Sequence, residues 1–77
     1  MNRVAVASTT LAAVSYFPDR HLLELHFRSG AVYQYFDVSL HNYHELLAAD
    51  SKGTYFNHHI RNRFPYRQVR RPSDSAG

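Results

Sequence analysis

The chain is predicted to be one α+β domain of the form β-β-β-α-α, a three-stranded antiparallel meander followed by two helices packed on one face. Three observations predict it. Short runs in the first half carry apolar residues with the period of two that marks half-buried strands. Two later segments open on Ser and place apolar residues at helical spacing. With 77 residues there is room for one hydrophobic core, near the lower limit for a fold without staples.

Leu11 to Phe17, containing Val14, Tyr16 and Phe17, read as the first strand. Pro18, Asp19 and Arg20 supply a turn, because Pro presets one backbone angle and Asp can bond its own loop. His21 to Arg28 alternate cleanly, with Leu23, Leu25 and Phe27 on one face and Glu24, His26 and Arg28 on the other. Ala31 to Phe36 form the third strand. A two-residue Ser29-Gly30 turn fits neither primed hairpin type. A three-residue loop with Gly30 left-handed does. That loop opposes Leu25 to Tyr33 and Leu23 to Tyr35, which turns both tyrosines toward the apolar face and burial. The other face, with Glu24, His26, Val32 and Gln34, is more polar.

Ser39 is placed to cap a helix running to about Ala49, with Leu40, Tyr43, Leu46 and Leu47 on its inner stripe. Ser51 is placed to cap a second, from Lys52 to about Asn62, with Phe56 and Ile60 facing inward. Pro65 cannot continue it. Tyr66 to Val69 read either as a short C-terminal strand or as a crossing of the surface. The domain is expected to span residues 8–69, after a lead-in of residues 1–7 and before a disordered tail of residues 70–77.

Composition narrows the function classes. There is no Cys, so neither disulfides nor thiolate metal sites are available. No stretch approaches the roughly 20 apolar residues that span a bilayer. Arg3 followed by Val4 to Ala7 imitates the start of a secretion signal, but Ser8, Thr9 and Thr10 interrupt it, and a cytoplasmic location is the default expectation. His41 and His44, and the adjacent His58 and His59, do not converge with an acid at a ligand spacing, so no metal or other cofactor is expected. Three scattered glycines make no phosphate loop, and Ser, His and Asp lack a placing context, so the chain reads as non-enzymatic.

Charge is polarised along the chain: Met1 to Ser51 carry a net −2, Lys52 to Gly77 a net +5. The basic end holds Lys52, Arg61, Arg63, Arg67, Arg70 and Arg71, interleaved with Tyr55, Phe64 and Tyr66. Cations neutralise phosphates and aromatic faces stack on unpaired bases. Lys52, Arg61, Arg63, Arg67 and Tyr66 are therefore the candidate RNA-binding residues, the partner being tRNA or single-stranded RNA. A sheet with exposed edges, in a chain rich in Tyr and Arg, equally suits a protein partner or self-association.

Leu23-Glu24-Leu25-His26-Phe27, Ser29-Gly30 and Val32-Tyr33-Gln34-Tyr35-Phe36 resemble the KTSC domain, a family found at the C-terminus of some lysyl-tRNA synthetases and as small stand-alone bacterial proteins. The run Ser51-Lys52-Gly53-Thr54-Tyr55-Phe56-Asn57, closed by Phe64-Pro65-Tyr66, is similar to the rest of its pattern. Ser39 stands where the family often has Pro, and Phe64 where Tyr is frequent. The resemblance implies an accessory RNA-binding role, by analogy of domain context.

Overall fold

The computed structural model describes residues 3–72. It contains strands β1 (Val4–Ala5), β2 (Leu11–Phe17), β3 (Leu22–Phe27), β4 (Val32–Tyr35) and β5 (Tyr66–Arg70). Between β4 and β5 lie helices α1 (Leu40–Ala48) and α2 (Lys52–Tyr55), the second continued by a π-helical turn, Phe56–Ile60. All five strands form one antiparallel sheet in the order β1-β2-β3-β4-β5.

The sheet extends the expected three-stranded meander at both ends: an added first strand departs from it, and the C-terminal strand, one of two readings of Tyr66 to Val69, forms. Four strands precede the helices, not three, because Val4 and Ala5 pair with Val14 and Ala13. Two exposed residues carry no alternation to read. The pairing is held from a distance: the Arg28 guanidinium donates to the carbonyls of Val6 and Ser8, and Val6 itself is buried. At the other end Tyr66–Arg70 is a true strand on β4, so Arg70, expected in the tail, belongs to the sheet. Residues 73–77 of that tail lie outside the described residues.

The β3–β4 hairpin has the predicted register, Leu25 opposite Tyr33 and Leu23 opposite Tyr35. Gly30 takes a φ of 97°, a left-handed value that favours glycine. Cross-strand partners share a face. One face therefore collects Val14, Tyr16, Leu23, Leu25 and Tyr35, all in the core with Tyr43, Leu46, Phe56 and Ile60 of the helical segments. The Tyr16 ring stacks on Tyr43 at 5.0 Å, and its hydroxyl donates to the Val38 carbonyl at 2.6 Å. Leu40, expected on the inner stripe, is 45% exposed as the first residue of its helix.

Both predicted serine caps form. Ser39 Oγ accepts from the Asn42 amide and Ser51 Oγ from the Thr54 amide. The Ser51–Tyr55 run then welds the helices together. Lys52 Nζ donates to the Ala49 carbonyl, and the Tyr55 hydroxyl donates to Glu45. Gly53 lies so close to the Ser8–Thr10 loop that an added Cβ would stand 2.8 Å from Thr10 Oγ1 and 3.2 Å from Thr10 Cβ. Ala outranks Gly in a helix by roughly 1 kcal/mol, yet Gly53→Ala is expected to lower the urea midpoint, because the clash outweighs propensity. Combining it with Thr10→Ala should recover most of the loss. Purely additive losses in that double-mutant cycle would refute the steric account.

Candidate functional site

The sheet presents Tyr33 and Tyr35 on β4, and Tyr66 of β5 lies directly across from Tyr35. Ring centroids separate Tyr66 from Tyr35 by 5.4 Å and from Tyr33 by 5.7 Å. Phe27 and Phe56 meet this group edge to face, Phe27 against Tyr33 and Phe56 against both Phe27 and Tyr35. The five rings line a cleft of about 350 Å³, together with Arg61 and Asn62 at the end of the π-helical turn. Its depth is graded: Phe56 and Tyr35 are buried, Tyr33 is half-buried, and Tyr66 is 55% exposed at the rim.

The π-helical turn sets the cationic side of the cleft. Widening the helix at Phe56 sends the Arg61 amide back to the Phe56 carbonyl at 2.8 Å, and Asn62 then adopts a φ of 63°. Asn tolerates that left-handed position at a helix end. The buried Tyr35 hydroxyl is pushed up to about 12, first by loss of water and then by its neighbours Tyr33 and Tyr66, with Arg61 opposing.

The five candidate residues do not form one patch. Arg61 and Tyr66 come together in the cleft. Lys52 is tied to the Ala49 carbonyl, where it closes the end of α1. Arg63 is exposed on the following loop and is not among the residues that line the cleft. Arg67 alternates with Tyr66 and points to the opposite face of the sheet, where its Nε donates to Gln34 at 3.1 Å. Gln34 in turn donates to Glu24, and the same carboxylate meets His26 at 2.9 Å. That ladder accounts for Arg67.

Sequence reasoning passed over Asn62, Phe27 and Phe56 as site residues. The period of two, applied to Tyr66–Arg70 as a strand, separates Tyr66 from Arg67. His41 faces Glu45 at 3.4 Å, His59 stacks on Tyr55 with the His58 ring 6.4 Å away, and no group of three metal-ligating side chains occurs among the described residues. Among the described residues no helix is long and apolar enough to cross a membrane.

A five-stranded antiparallel sheet with helices on one face and an aromatic cleft beside the last strand defines a small α+β domain. The KTSC domain family matches residues 7–64, and the chain belongs to that family. A KTSC domain protein of Yersinia pestis has a crystal structure that superposes with a TM-score of 0.86 at 32% identity, covering 90% of this chain and 97% of that one. An uncharacterized protein of Stutzerimonas stutzeri is 44% identical over 57 residues, 74% of this chain and 80% of its own. A lysine–tRNA ligase of Nostoc is 42% identical over 59 residues, 77% of this chain but 10% of the ligase.

Proposed function

We propose that the chain is a non-enzymatic RNA-binding module that takes an unpaired base into the aromatic cleft. The observation that carries the reading is Tyr66, exposed at the rim, packed on Tyr33 and Tyr35, with the Arg61 guanidinium lining the same cleft. A flat ring offers a stacking face to any base, and an adjacent arginine suits the phosphate that follows it. Single-stranded RNA, or the unpaired end or loop of a tRNA, supplies such a base. The similar segment in a lysine–tRNA ligase is consistent with that partner.

Because Lys52 and Arg67 are engaged within the protein, few phosphates are neutralised. Affinity should fall with a shallow log–log salt slope of about −1 to −2, from roughly 0.7 per contact on a single strand. Fluorescence anisotropy with a short single-stranded RNA and with bulk tRNA tests the reading. Tyr66→Ala and Arg61→Ala should each weaken binding about tenfold, from a stacking contribution on the order of 1–3 kcal/mol. Lys52→Ala and Arg67→Ala should leave it within twofold or so on the same grounds. Absence of binding at low salt, or indifference to Tyr66→Ala, would remove the proposal.

A protein partner is the second reading. β5 is an edge strand with all five residues exposed, bonded on one side only, and an extended segment can add to such an edge. That complex would tolerate salt and Arg61→Ala alike.

A further inference from the structure

The face of the sheet turned away from the helices carries its own concavity. The register lines up Ala5, Ala13, His26, Val32 and Arg70 across all five strands. Ala5 and Ala13 are too short to fill their share of that row. A cleft of about 240 Å³ results, with alanine methyls on its floor, His26 in its wall, and Arg3 and Arg70 reaching it from opposite edges of the sheet. It lies on the other face from the aromatic cleft and involves different side chains at every charged position.

The electrostatics of this cleft are one-sided. Both ion pairs among the described residues are between His and Glu, so neither Arg3 nor Arg70 meets an acid. Glu24, the acid bonded to His26, also accepts from Gln34. An apolar floor beneath unpaired cations focuses a positive field. Guanidinium groups recognise tetrahedral oxyanions through paired N–H donors. The imidazole adds a second requirement. A carboxylate only accepts, so the 2.9 Å contact with Glu24 puts the proton of neutral His26 on Nε2 and leaves Nδ1 as an acceptor. An anion seated beside Nδ1 gains if it carries a hydrogen of its own.

We propose that this cleft is a phosphate site, selective for an oxyanion that bears an O–H: inorganic phosphate, or a phosphomonoester in its singly charged form. Arg3 and Arg70 take the acceptor oxygens and His26 Nδ1 takes the P–O–H. Sulfate matches phosphate in size and shape but is fully deprotonated near neutrality, so it satisfies the arginines and not the histidine. Dimethyl phosphate, which mimics the nucleic-acid backbone, lacks the hydrogen.

Calorimetric and amide-NMR titrations of the full chain at fixed ionic strength, with inorganic phosphate, methyl phosphate, sulfate and dimethyl phosphate in turn, test the assignment. Phosphate should saturate at one equivalent, with shifts centred on Ala13, His26 and Val32. Sulfate should bind at least about fivefold more weakly, the loss expected for one unmade charge-assisted hydrogen bond. Methyl phosphate against free phosphate separates the two sources. Arg3→Ala and Arg70→Ala, both at exposed positions, should each weaken phosphate by a similar factor, about fivefold or more. His26→Phe should abolish the preference over sulfate while leaving sulfate itself unchanged. Equal affinity for phosphate and sulfate in the wild type, or arginine variants that bind phosphate as the wild type does, would overturn the site.

Discussion

Replacing Phe56 with Ala is expected to remove about 3–5 kcal/mol of unfolding free energy, the range for deleting a buried phenylalanine. A domain of 77 residues holds roughly 4–12 kcal/mol in all, at 0.05–0.15 kcal/mol per residue. Phe56 is 6% exposed and packs edge to face on Phe27 and Tyr35 at 5.4 and 5.6 Å. It therefore joins the π-helical turn to β3 and β4 through one ring. Truncation leaves a cavity whose walls belong to the sheet and to the turn, and neither can close it without unpairing strands or rewinding the helix. Urea denaturation followed by far-ultraviolet circular dichroism should show either a transition shifted far toward water or no folded baseline at all. Phe56→Leu, which keeps most of the volume, should cost less than half as much. A midpoint for Phe56→Ala within error of the wild type would contradict the packing described. Phe56 is also the wrong residue with which to probe binding, and the exposed Tyr66 is the right one.

How far the sequence carried this structure depends on the distance over which each signal acts. The hairpin register followed from one glycine and a three-residue loop, because loop geometry fixes every pair that follows it. The caps at Ser39 and Ser51 are set by a side chain and an amide three residues away, so local spacing sufficed. β1 was not legible. Its pairing is supported by Arg28 reaching the Ser8 and Val6 carbonyls, 20 and 22 residues earlier, and nothing in Val4-Ala5 announces that. The π-helical turn was hidden for a related reason, since Phe56 and Ile60 face inward in either helical form.

The candidate site divided along the same line. Positive charge is crowded toward the C-terminus in sequence, yet the backbone spreads it over different surfaces. Adjacent positions on a strand must diverge, which separates Tyr66 from Arg67. A lysine at a helix start can reach the carbonyl that ends the preceding helix, which occupies Lys52. What the sequence did contain was the pairing of Tyr33 and Tyr35 on the inner face, and with Tyr66 those rings build the cleft. Much of the Ser51–Phe56 run is explained by helix capping, the Gly53 approach to Thr10 and the Phe56 ring, and needs no ligand to account for it.

Alkaline unfolding should report Tyr35 directly. Its hydroxyl titrates at about 12 in the folded chain against an ordinary value of 10.0. Burial is the main cause, and the nearby Tyr33 and Tyr66 hydroxyls add to it while Arg61 opposes. Between those two values the unfolded chain releases a proton that the native state keeps. The native state then binds more protons, so unfolding becomes more favourable as pH rises. The contribution is flat below pH 10 and is lost progressively through the window to pH 12. Tyr16 and Tyr55 are raised as well, chiefly by burial, and steepen the same decline. Urea midpoints for the wild type should therefore hold up to about pH 10 and then drop. Tyr35→Phe, which removes a hydroxyl from a buried aromatic cluster and keeps the ring, should fold at pH 8 and show a visibly shallower drop. Arg61→Ala should move the phenolate absorbance transition of Tyr35 to still higher pH, because the cation that favours ionisation is gone. Parallel pH profiles for wild type and Tyr35→Phe would mean that this hydroxyl ionises without disturbing the fold, and the closeness of the Tyr33, Tyr35 and Tyr66 rings would then have no energetic consequence.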